Sequence, residues 1–156
     1  MKTIFKILFL CGTILLTAFS CEKEEVICEG DNAQHVETFY SDEFERIPCS
    51  LHNIDTDNKV VNLVIKTQAD FEKYLSCSSQ LPAIDFKKYF ILVGRYRHHQ
   101  CAIFDSQEVL ICDNKLFYKV RMLEQDCLAF TDVFYVTVIE REYVNLPVKF
   151  DVKFMN

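Results

Sequence analysis

From Leu146 to Phe154 the chain alternates with period two: Leu146, Val148, Phe150, Val152 and Phe154 on one side, Pro147, Lys149, Asp151 and Lys153 on the other. Successive side chains of an extended strand point to opposite faces, so the segment reads as a half-buried strand with one wet face. Pro147 cannot donate to a hydrogen-bond ladder, which suits a strand start or a sheet edge. Such a strand needs a sheet to dock on, and the preceding sequence supplies one. Lys59–Lys66 (KVVNLVIK), Tyr89–Arg97 (YFILVGRYR), Val109–Cys112, Leu116–Leu123 and Val133–Ile139 (VFYVTVI) are dense in β-branched and aromatic residues, the side chains that fit a pleated, half-buried surface. The run at 89–97 is apolar without alternation, which places it centrally, covered on both faces.

Between the third and fourth of these runs, Asp113-Asn114-Lys115 reads as a three-residue hairpin loop in an antiparallel pair. With Cys112 opposite Leu116 and no bulge, Cys101 falls opposite Cys127, at a separation close to what a disulfide bridges. A bulge at the Asp105-Ser106-Gln107 break would spoil that register. Asp55-Thr56-Asp57-Asn58 reads as a turn. Thr67 with Asp70 three residues on resembles a capping box, and Phe71, Tyr74 and Leu75 share one helical face. The helix is expected to end near Cys77-Ser78-Ser79, before a link at Leu81–Phe86. The fold class expected from these elements is mainly β, of α+β type: an antiparallel sheet curled or folded into a sandwich, with one or two helices packed on it.

Residues 1–20 read as a leader. Lys2 and Lys6 precede the apolar run Ile7–Phe19, and no acidic residue occurs before Glu22, the layout of a secretory signal and too short a run to span a bilayer. The junction Ala18-Phe19-Ser20-Cys21 resembles a bacterial lipobox, although Ala18 and Phe19 stand where Leu and a small residue are common. Glu22-Lys23-Glu24-Glu25 resembles the lysine-and-acidic tag of cell-surface lipoproteins of Bacteroidota. The resemblance implies a lipoprotein signal peptide at 1–20, with palmitate-type acylation at Cys21 and anchorage in the outer membrane. Ordinary signal-peptidase cleavage at the same junction stays open. Residues 21–45 read as an acidic tether and 46–156 as a single β-rich globular domain.

Removal of Lys2 and Lys6 with the leader leaves 15 basic against 23 acidic residues, a net charge of −8. Such a chain repels phosphate backbones, so no nucleic-acid partner is expected. Glycine occurs only at 12, 30 and 94, which excludes the glycine-rich cradles of P-loop and dinucleotide sites; no cofactor is expected. Beyond Cys11 and Cys21, six cysteines remain at 28, 49, 77, 101, 112 and 127. An even set in an exported chain points to three disulfides, among 15 possible connectivities, with one bridge plus buried thiols as the alternative.

His98, His99 and Cys101 carry metal-ligating groups, but adjacent strand residues face opposite ways and an exported thiol is bridged, so no metal site is expected. Glu140 and Glu142, if on one strand face, would form a carboxylate pair, and a cysteine–histidine nucleophile pair is conceivable. Neither has a supporting motif, and no catalytic residue is assigned. Tyr89, Tyr96 and Tyr135, with His98 and His99, are the candidate binding surface. An exposed tyrosine row would stack on sugars or on a protein.

The run Val64–Arg95 (VIKTQADFEKYLSC…LPAIDFKKYFILVGR) joins a strand, a Thr-capped helix with a D-F-x-x-x-L pattern, a Pro and Ile-Asp-Phe link and an apolar strand. It resembles the PrcB-type domain, named for a lipoprotein that stabilises a surface protease complex. In place of that domain's Gly-Gly-Tyr turn this chain has Tyr96-Arg97-His98-His99-Gln100. Thr131-Asp132-Val133-Phe134-Tyr135 replaces its Pro-aromatic strand start. The resemblance implies a non-enzymatic accessory protein that binds or stabilises another envelope protein, a protease in the named case. A surface glycan- or small-ligand-binding module is the alternative, and a small hydrolase the third reading.

Overall fold

The computed structural model describes residues 28–51, 54, 57–80 and 82–155. The leader, Cys21, the charged run after it, and Asp55 and Thr56 of the expected turn lie outside these residues. The fold is mainly β, with nine strands in three sheets and two α-helices among the described residues. In chain order these are β1 (Gln34–His35), α1 (Ser41–Arg46), β2 (Cys49–Leu51), β3 (Val60–Ile65), α2 (Gln68–Tyr74), β4 (Leu75–Cys77), β5 (Tyr89–His98), β6 (Ala102–Cys112), β7 (Lys115–Glu124), β8 (Thr131–Glu140) and β9 (Val148–Met155).

A four-stranded sheet, β1-β6-β7-β9, faces a three-stranded one, β3-β5-β8, while β2 and β4 form a separate ribbon. The core between the two large sheets takes Phe90 and Leu92 from β5, Val133, Tyr135 and Ile139 from β8, and Leu116, Tyr118, Val120 and Met122 from β7. A second core lies on the other face of the three-stranded sheet. There Ile91 and Val93 of β5 and Val136 and Val138 of β8 meet Phe71 and Leu75 of the α2 region and Ile84 of the link. This explains why the sequence of β5 does not alternate. It is the central strand, and Phe90, Ile91, Leu92 and Val93 are all fully buried, each worth roughly 1.5–3 kcal/mol of transfer free energy.

Thr67 caps α2 as its sequence indicates: its hydroxyl accepts from Asp70 N (3.1 Å) and donates to Asp70 Oδ2 (2.7 Å). The helix stops at Tyr74, three residues before the expected end, because Leu75–Cys77 turn extended and pair with β2. The hairpin loop between β6 and β7 is also shorter than expected. Asp113 and Asn114 both have positive φ (48° and 56°), and Lys115 pairs directly with Cys112. Two central residues with positive φ make the turn whose twist matches the strands it joins. Asp105 is the bulge between Phe104 and Ser106.

β9 departs from the antiparallel expectation by running parallel to β7, with Val148 beside Leu116 and Phe154 beside Met122. Its apolar side faces the first core and it is a sheet edge, as the alternation and Pro147 imply. Residues 28–45 do not hang free as a tether. Cys28 is bonded to Cys112, β1 pairs with β6, Phe39 N bonds Val138 O (2.9 Å), and Phe39, Tyr40 and Phe44 pack on the second core. Within the described residues the globular unit therefore begins at Cys28 rather than at 46.

Candidate interaction surface

One end of the sandwich gathers the last residues of β5 and β7 and the first of β6 and β8. There Cys101 is bonded to Cys127, with Cα atoms 5.4 Å apart. The pairing is the one expected, but the route to it differs. The two-residue hairpin loop and the bulge at Asp105 each slip the register by one, so Gln125 N bonds Cys101 O (2.8 Å). The chain then folds back after Gln125, with Cys127 N bonding Gln125 O (2.8 Å) and Cys127 O accepting from Cys101 N (3.3 Å). The other bridges are Cys28–Cys112 and Cys49–Cys77, so all six candidate cysteines are engaged.

The bridge pins a short loop whose tip is apolar. Leu128 is 99% exposed and Phe130 77%. Neither residue is marked by strand periodicity, and their one signal in the sequence is an apolar Leu-Ala-Phe triplet inside an otherwise turn-like segment. Phe130 flanks a surface depression of about 430 Å³ with Arg97 and Asp132; Leu128 flanks another of about 360 Å³ with Gln100, Glu124 and Asp126. The floor of the first is a bidentate pair, Arg97 Nε to Asp132 Oδ1 at 2.8 Å and Arg97 NH2 to Oδ2 at 2.9 Å. That hydrogen bonding holds the Asp132 carboxyl below its ordinary range, so the pair stays charged in the depression that Phe130 flanks.

The five residues expected to form a binding surface do not form one surface, although Tyr96, His98 and His99 neighbour one another at the end of β5, with ring centroids 6.3 Å (Tyr96–His98) and 4.3 Å (His98–His99) apart. Tyr135 is buried in the first core and its hydroxyl bonds Asn62 Oδ1 (2.5 Å). Its ring lies across Gly94, where a Cβ would overlap it. Burial pushes the Tyr135 and Tyr118 phenols well above their ordinary range. Tyr96 faces the same core and stacks edge-on against Phe154 (4.8 Å), whereas Tyr89 faces the opposite core beside Phe39 (4.9 Å). A tyrosine platform on these three residues is thereby corrected: they occupy two faces of one sheet, one of them fully buried.

His98 is buried, stacked on Phe154 at 4.0 Å, with Nε2 2.8 Å from Glu124 Oε1, close enough for an ion pair but not aligned as a hydrogen bond. It thus ties β5 to β7 and β9, while His99 is exposed beside it. Among the described residues no three His, Cys, Asp or Glu side chains group as a metal site, and Cys101 is bridged. Glu140 ends β8 and Glu142 lies in the 3-10 turn Arg141–Tyr143, so they do not share a strand face. Arg141 instead clamps the link, donating to Phe86 O (2.7 Å) and Lys66 O (3.2 Å).

Comparison with family models, curated proteins and solved structures returns no match for this chain.

Proposed function

We propose that the protein is a lipid-anchored, non-enzymatic envelope protein that binds or stabilises another surface protein through the loop at 125–130. The observation that carries this reading is the solvent-facing pair Leu128 and Phe130 on a loop braced by Cys101–Cys127. Large apolar side chains held in water on a constrained segment lower the ordering cost of association and act as anchors in a partner's pocket. A surface protease is the partner class favoured by the resemblance at 64–95, whose strand, capped helix, link and strand correspond to β3, α2 and β5 here. Export and anchorage at Cys21 rest on the leader and junction residues, and the engaged cysteines are in keeping with an oxidising compartment.

The test is purification from detergent-solubilised membranes after crosslinking, comparing the wild-type chain with a Leu128→Ser, Phe130→Ser variant. The substitutions are at exposed sites and should leave the melting temperature within a few degrees. The expected result is a defined protein partner in near-stoichiometric yield with the wild type and at least tenfold less with the variant. Equal recovery from both, or no partner from either, overturns the proposal. Intact-mass analysis of the same material checks the anchor: the expected chain begins at Cys21 and carries acyl chains. An unprocessed, unacylated chain refutes that part.

A further inference from the structure

The outward face of β7 and β9 is basic in an acidic protein. Because Leu116, Tyr118, Val120 and Met122 fill the core, β7 turns Lys115, Phe117, Lys119, Arg121 and Leu123 outward, and β9 adds Lys149, Asp151 and Lys153. Five of these eight positions are cationic and one is anionic, in a chain of net charge −6. Register sets Lys153 beside Arg121 on one side and Ser106, the residue after the bulge, on the other.

The cations nearest Arg121 are compensated by the protein. Lys119 Nζ donates to Cys28 O (2.7 Å) and lies 3.8 Å from Glu108 and 3.9 Å from Glu29; Lys153 lies 3.6 Å from Asp151. Arg121 differs. Its NH1 is covered and has no hydrogen-bond acceptor among the described residues, and no carboxylate there lies within ion-pair distance. A buried donor left unsatisfied is unfavourable, and more so when it is charged, so each such group calls for an explanation. Arg121 also lines a surface cavity of about 270 Å³ with Ser106, Gln107, Glu108 and Lys119.

We infer that this cavity is a binding site for a carboxylate-bearing ligand, with Arg121 as its principal recognition residue. A guanidinium carries paired N–H donors matched to the two oxygens of a carboxylate, and the nitrogens of Arg121 other than the covered NH1 are the ones a ligand in the cavity can meet. Two acids set the limit on charge. Glu108 lines the cavity, and Asp105 accepts the hydroxyl of the lining residue Ser106 at 2.8 Å. They favour a monoanion over a doubly charged phosphate. The site does not depend on what the loop at 125–130 binds.

The test is a titration of the purified, oxidised protein at constant ionic strength with sodium acetate, galacturonate and inorganic phosphate, followed by amide and arginine side-chain NMR shifts. The expected result is saturable shifts at residues 106–108 and 119–121 with both carboxylates, weakened at least tenfold in Arg121→Gln and unchanged in Lys115→Gln. Absence of saturation overturns the site. So does equal weakening by the Lys115 change, which would show diffuse surface charge. Phosphate binding as tightly as acetate overturns the carboxylate assignment. Arg121→Gln is placed on an outward, partly exposed position and retains polar capacity; its folding is checked by the dispersion of the same spectra.

Discussion

Gly94 lies between Asn62 of β3 and Tyr135 of β8 in register, and the Tyr135 ring passes directly over it to reach the Asn62 carbonyl oxygen. The absent side chain is therefore the space the ring occupies. Gly94→Ala should overpack this point and cost about 1–3 kcal/mol. In a Tyr135→Leu background the same change should cost much less, because the overlapping ring atoms are gone; equal costs in the two backgrounds, measured by denaturant unfolding, would refute the steric account. The same burial sets an alkaline limit. The Tyr118 and Tyr135 phenols have folded pKa values raised above the unfolded value of about 10. Their contribution to stability is complete below that value and is lost as pH rises toward the folded pKa. Unfolding should thus set in above about pH 10, with tyrosinate absorbance from these two rings appearing together with loss of near-ultraviolet circular dichroism. Their ionisation while tertiary signal persists would show that they are accessible. This arrangement is not legible from periodicity, since an aromatic residue on a strand covered on both faces carries no mark of which core it enters. Tyr96 and Tyr89, on the same strand, enter different ones.

The long elements were legible because each satisfies its own periodicity. α2 shows both a cap and a face, β9 alternates, and β5 reads as continuous because both its faces are covered. The cap gives a direct measure of that local logic. Thr67→Ala removes the side-chain acceptor of Asp70 N, and the helix should lose about 1 kcal/mol. Thr67→Ser should restore most of it. A lowered denaturant midpoint with an unchanged slope is the expected readout; no difference between Ala and Ser would remove the cap as a source of stability. Other elements were not legible, for identifiable reasons. β1, β2 and β4 span two or three residues, too few to show alternation, and exist because longer neighbours offer them a ladder. The parallel pairing of β7 and β9 is unmarked, since alternation fixes which face is buried and not which neighbour runs alongside. Register in the β6–β7 hairpin turned on the left-handed conformation of Asp113 and Asn114 and on the extra residue Asp105, choices made by two or three side chains. At the surface site, cysteine parity pointed to the brace, while the exposed Leu128 and Phe130 it carries follow no pattern a periodicity search detects.

At the scale of the molecule, the three bridges divide the work of holding layers that share little sequence locality. Cys49–Cys77 closes the β2–β4 ribbon and Cys101–Cys127 pins the loop at one end of the sandwich, across separations of 28 and 26 residues. Cys28–Cys112 spans 84 residues and seats the N-terminal segment against the outer face of the four-stranded sheet, where Cys28, Leu110, Cys112 and Phe117 form a third small core. The buried Lys119 ammonium reinforces that contact by bonding the Cys28 carbonyl. In the chain-entropy account a cross-link stabilises by restricting the unfolded ensemble, more for a longer loop, about 4–5 kcal/mol for the longest bridge and about 3–4 kcal/mol for the other two. Replacing each pair by alanine should therefore rank them: the Cys28/Cys112 variant loses the most unfolding free energy, the other two lose less and by similar amounts. Hydrogen exchange separates the local consequences. Without Cys28–Cys112 the amides of 33–39 should lose protection while β5 and β8 keep theirs, because the segment then depends on β1, the Val36 and Phe39 backbone bonds, the packing of Val36, Phe39, Tyr40 and Phe44, and Lys119. Without Cys101–Cys127 the change should stay within 99–101 and 125–130. If the Cys28/Cys112 pair proves the least costly to remove, or if its loss leaves the protection of 33–39 intact, the N-terminal segment is held by its strand and aromatic contacts, and the long bridge is not what fixes it to the sheet.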